Sequence, residues 1–155
     1  MSYPLLLWVH IMSSTLLFGT GLGTAFHGWM AHRSQDVAAI SVVSRNVVLA
    51  DWLFTAPAVV VQPVTGVWMA LLAGIPLTTG WLALAIGLYL LVGACWLPVV
   101  WLQIRMHHFA SAAARTGEAL PARYFVYAKW WFILGWPAFL CVIAIFYLMV
   151  FKPGL

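Results

Sequence analysis

Ionisable and soft side chains are scarce in this sequence, so the few inside long apolar runs draw attention first. His10 lies in the run that begins near Leu5, Asp51 in the second run, and Lys129 in the fourth. Hydrocarbon penalises such groups, and those found there face a bundle interior, where they mark pathways, ligands or one another's partners. Imidazole binds metal ions and haem iron, thioether sulfur is a soft ligand, and a carboxylate can hold a cation. With three acids in the chain, hydrolysis by paired carboxylates has little material, and no CxxC or HExxH motif is present.

Helical periodicity arranges the candidates into stripes. At about 100° per residue, His10, Ser14, Leu17, Gly21, Gly28 and His32 share one face of the first run. Asp51, Thr55, Gln62, Thr65 and Met69 share a face of the second; Tyr89, Trp96 and Gln103 recur by sevens on the third; Lys129, Trp136 and Tyr147 mark the fourth. Four such stripes turned to a common axis satisfy each other's hydrogen bonds, which lipid cannot do.

Depth then divides them. Asp51 and Lys129 each fall about one turn in from the same membrane face, which predicts a structural charge pair. His10 falls in the opposite half, about 8 Å below its helix end at 1.5 Å per residue, with no second histidine at its depth. A porphyrin on His10 would be five-coordinate or take Met69 as a thioether partner, with Ser14 and Gly21 small enough to admit a flat ring and Trp96 in its lining. His27, His32 and His108 are further metal-ligand candidates; His27 points about 100° from the His10 face, and His32 could join His107 and His108 at a metal.

The elements that position these residues follow from composition. The chain has 155 residues, 65% hydrophobic and 6% charged, far from a soluble mix. Four spans fit, near 5–31, 47–74, 81–103 and 124–150, forming one all-α, four-transmembrane-helix domain, a polytopic membrane protein. The first run lacks a basic leader region and is expected to stay in the mature protein. The first and third connections carry Arg33, Arg45, Arg105, Arg115 and Arg123, while 75–80 carries no charge. The positive-inside rule therefore places both termini outside (N-out/C-out) and assigns the basic residues to topology, leaving no reason for a nucleic-acid partner. Trp81, Trp101, Trp130 and Trp131 are expected as interfacial anchors, Pro57, Pro63, Pro98 and Pro137 as kinks, and Cys95 and Cys141 as free thiols. Gly19 and Gly23 suit close helix packing rather than a nucleotide loop, since no strand precedes them.

Nearly the whole chain resembles a bacterial family of predicted integral membrane proteins of unknown function, related to HemJ-type protoporphyrinogen oxidases and CopD-like four-helix proteins. The carrying segments are LLLWVHIM, FGTGLGTAFHGWMAH, DWLFTAPAVVVQPVTG and GWPAFLCVIAIFYLMVFKP, the last with Lys152 and Pro153. The resemblance implies a multi-pass protein of the bacterial cytoplasmic (inner) membrane that binds haem b through His10 and has oxidoreductase chemistry on a porphyrinogen-like or quinol-like substrate. Membrane lipid, quinone or porphyrin are the partners it implies, alone, as a homo-oligomer or as a complex subunit. Two other readings stay open: a CopD-like copper or small-solute permease using His10, Met12, Met69 and Met149, and a non-catalytic membrane subunit.

Overall fold

A computed structural model describes residues 2–154. Five α-helices follow one another: α1 (Tyr3–Ser34), α2 (Val37–Ala50), α3 (Ala56–Leu72), α4 (Gly80–Thr116) and α5 (Ala122–Phe151). A single π turn, Asp51–Thr55, welds α2 to α3, so Val37–Leu72 is one continuous rod and four rods are long and apolar enough to cross a membrane. The expected ranges 5–31, 81–103 and 124–150 each lie inside a longer helix, while the second, 47–74, runs two residues past the end of its rod at Leu72. The third rod runs 13 residues past Gln103, because Ile104–Thr116 is rich in helix formers that need no bilayer.

Each boundary has a local cause. The expected first loop shrinks to a two-residue corner. Gln35 adopts a left-handed conformation (φ 57°), its amide donates to His32 O at 2.8 Å, and Asp36 caps α2 through Oδ1, which accepts from Ala38 N at 2.9 Å. Gly117 (φ 70°) closes α4, where a side chain would be strained.

The π turn has its cause in Pro57. Proline has no N–H to give to the carbonyl four residues back, and its ring crowds that carbonyl. The ladder widens just before it, and Ala56 N–H reaches back five residues to Asp51 O.

Topology brings the C-terminal ends of α1 and α4 together with the N-terminal ends of α2 and α5. There Ala31, Ile40, Ala110, Tyr124 and Ala128 form the buried core cluster. All five arginines of the two basic connections gather at this end, the one that the positive-inside rule assigns to the cytoplasm. Outward faces are apolar along the rods, with Trp8 60%, Leu90 69% and Val150 73% exposed, a surface suited to lipid rather than water. Alkaline phosphatase fused after residue 154 should be active in cells and inactive when inserted at 117–121; the reverse pattern would invert the topology.

Candidate functional site: an intramembrane cavity beside a closed histidine node

The polar stripes resolve into two separate sites. In the outer half, His10 joins α1 to α3. Thr65 Oγ1 gives its hydrogen to Val61 O at 2.7 Å, as threonine does inside helices, so it accepts from His10 Nδ1 at 2.9 Å. Gln62 Nε2 lies 3.0 Å from His10 Nε2 and can only donate. Ser13 Oγ bonds Gln62 Oε1 and also lies 3.0 Å from His10 O. The network assigns a neutral imidazole with its proton on Nδ1, the tautomer being set by these partners.

Gly66 lets α3 come this close, since a Cβ there would stand 3.1 Å from His10 Cε1. The residue on α1 that completes the node is Ser13, which is buried, and not Ser14, whose hydroxyl turns back to Ile11 O at 2.8 Å.

This geometry does not fit His10 as an axial haem ligand. Both ring nitrogens are engaged, and Gly66 closes on the ring edge. Met69 is half-buried on the same rod, and Met12 is exposed on the outside of α1. Among the described residues no group of three or more His, Cys, Asp or Glu is placed to share a metal ion. His32, His107 and His108, which could have shared a metal, are not assembled for one: His107 Nδ1 lies 3.3 Å from Ser44 Oγ and Ser111 Oγ, and His108 is exposed, as is His27.

The second site is a half-open cavity of about 340 Å³ walled by α1, the π turn, α4 and α5. Leu17, Gly21, Asp51, Trp96, Gln103 and Trp131 are among its lining residues. A second space of about 330 Å³ continues toward the cytoplasmic end, reaches His32 and Lys129, and shares Trp29, Gln103, Trp131 and Phe132 with the first. Gly21 leaves open space beside α1, and Gly28 admits the Trp131 ring, whose Cη2 would lie 3.3 Å from a Cβ there. Gly19 and Gly23, expected to pack helices, have nothing within 4 Å of a built Cβ.

The expected Asp51–Lys129 charge pair is not formed. Asp51 is 5% exposed; its Oδ1 accepts from Thr55 Oγ1 at 3.0 Å, and its Oδ2 has no hydrogen-bond partner. Gln103 of α4 stands against the same carboxylate. Lys129 is exposed on the wall of the cytoplasmic space.

Buried polar atoms are almost always paired, so those that are not mark a site. Among the described residues five lack a partner: Asp51 Oδ2, Gln103 Oε1, Trp96 Nε1, Trp131 Nε1 and His32 Nδ1. The first four line the central cavity, and His32 lines its cytoplasmic continuation, stacked on Tyr124 at 5.8 Å. Trp131 thus serves the cavity rather than the interfacial belt. Trp81, by contrast, holds the outer end, with Lys152 Nζ 5.8 Å from its ring centroid. Cys95 and Cys141 are free thiols, as their different depths required.

A four-rod, multi-pass helical membrane protein with a polar-ended cavity between its helices is the class that fold and site define. The chain belongs to the family described as "Predicted integral membrane protein (DUF2269)", whose model matches residues 4–153. No curated protein and no solved structure matches it.

Proposed function

We propose that this chain binds a flat, lipid-soluble redox molecule of the porphyrin or quinone class in its central cavity, haem b among the candidates. The observation that carries the reading is that four residues lining one aromatic-walled space, Asp51, Trp96, Gln103 and Trp131, each carry a buried polar atom without a partner. An apolar pocket with a few convergent polar groups is the usual form of a small-molecule site, and a volume near 340 Å³ lies in the ordinary range. Indole N–H groups orient oxygen-bearing rings, while Phe18, Phe132 and Phe139 supply apolar contact.

The likeness of the Lys152–Pro153 ending to HemJ-type oxidases supports the porphyrin member of the class. His32, with Nδ1 unpartnered beside the cavity, is the imidazole suited to iron, and exposed Lys129 on the same wall suits a propionate. Oxidation of a porphyrinogen-like or quinol-like substrate is the matching chemistry.

The test is purification from native membranes, organic extraction with pyridine haemochrome analysis, and titration with hemin and with a decyl-substituted benzoquinone. One of the two should bind saturably, and Trp96→Phe or Trp131→Phe should weaken it about five- to tenfold, the worth of one hydrogen bond in a dry site. Absence of saturable binding for both probes would sink the reading.

A further inference from the structure

We infer that the cavity selects the dihydroxy form of an aromatic ring that carries an apolar tail, a quinol rather than a quinone, and that Asp51 makes the selection. The inference rests on the cavity being a ligand site, as proposed above, and adds which chemical form it takes.

The unpartnered atoms are two acceptors and two donors. Asp51 Oδ2 and Gln103 Oε1 accept; Trp96 Nε1–H and Trp131 Nε1–H donate. Asp51 is 5% exposed and Gln103 8%, so bulk water offers neither a ready alternative. A ring bearing only carbonyl or ether oxygens can satisfy the indoles, but it leaves both acceptors unpaired. A ring bearing hydroxyls serves both kinds, since each hydroxyl donates one hydrogen and accepts through its lone pairs.

Thr55 fixes the sense of the carboxylate. Its hydroxyl donates to Asp51 Oδ1 and so orients Oδ2 as the remaining acceptor. The π turn places this carboxylate inward, one turn ahead of Pro57.

The tail has a route. α1 and α5 meet through aromatic rings, Phe18 with Phe139 at 5.3 Å and with Phe146 at 5.4 Å. Leu17, Phe18, Phe139 and Val142 line the cavity where these helices adjoin. An alkyl chain passing there stays in apolar surroundings while the ring holds the polar end.

The experiment uses the full chain in phosphatidylcholine nanodiscs under anaerobic conditions. Three probes share one ring and one decyl tail: the hydroquinone, its quinone and its dimethyl ether. The hydroquinone should bind at least about tenfold more tightly than the dimethyl ether, the effect of pairing one otherwise unmet buried acceptor. Asp51→Asn turns the inward atom from acceptor to donor and should shrink that preference to within about twofold. Equal binding of the three probes to the wild-type chain would overturn the inference and leave the ligand site standing. A preference unchanged in Asp51→Asn would overturn the role of Asp51. Failure of all three probes together with hemin would remove the site itself. If Asp51→Asn does not assemble, the wild-type comparison of hydroquinone with dimethyl ether decides alone.

Discussion

His10→Ala should destabilise the bundle by about 1–3 kcal/mol while leaving ligand content of the central cavity unchanged. The imidazole is the hub of the outer node: removing it leaves Gln62 Nε2 without its acceptor, frees the Thr65 lone pair, and opens a gap against Gly66. Unmet polar groups in hydrocarbon have no water to turn to, although helices in membranes often find substitute partners, which holds the effect to the lower part of that range. Thermal unfolding in detergent, monitored alongside pyridine haemochrome and quinone extraction, checks both halves. A variant that kept its melting temperature and lost a bound porphyrin would return the axial-ligand role to His10. His32→Ala is expected to do the opposite, with little loss of stability and loss of any Soret band the wild type carries.

Much of this arrangement was legible because straight helices preserve their phase. Tyr89, Trp96 and Gln103, seven apart, lie on the inward side of α4, and the latter two line the cavity. Leu17, Gly21, Gly28 and His32 likewise line one of the two spaces from α1. Loop charge alone was enough to order the four rods and tell one end from the other.

Phase failed where the helix changed gauge. In an ideal α-helix Asp51 and Gln62 share a face, at about 100° per residue. The π turn lies between them and rotates one against the other, so Asp51 and Thr55 enter the cavity while Gln62 and Thr65 bond to α1. The stripe on the second rod is therefore two sites, and the proline that signals the break was present at Pro57. Ser13 was missed for a smaller reason. It sits about 60° from His10 on the wheel and Ser14 about 40°, yet the nearer residue bonds its own backbone, a choice no spacing reveals. The Asp51–Lys129 pairing failed because equal depth does not fix direction: Asp51 is buried at the bulge, while Lys129 is exposed.

Tyr89→Phe should cost about 1–3 kcal/mol, and most of that cost should vanish in a Pro63→Ala background. The Val59 carbonyl would ordinarily accept from the amide four residues on, but that residue is Pro63, which has no N–H. Tyr89 OH fills the gap from the neighbouring rod, donating to Val59 O at 2.6 Å. This bond ties the start of α3 to the same face of α4 that carries Trp96 and Gln103. Removing the hydroxyl leaves a carbonyl unpaired inside the membrane. Restoring an amide at position 63 gives that carbonyl its helical partner, after which the phenol is surplus. A double-mutant cycle on the thermal or denaturant midpoint measures the coupling directly, and costs that simply add would mean that the hydroxyl does not stand in for the missing amide.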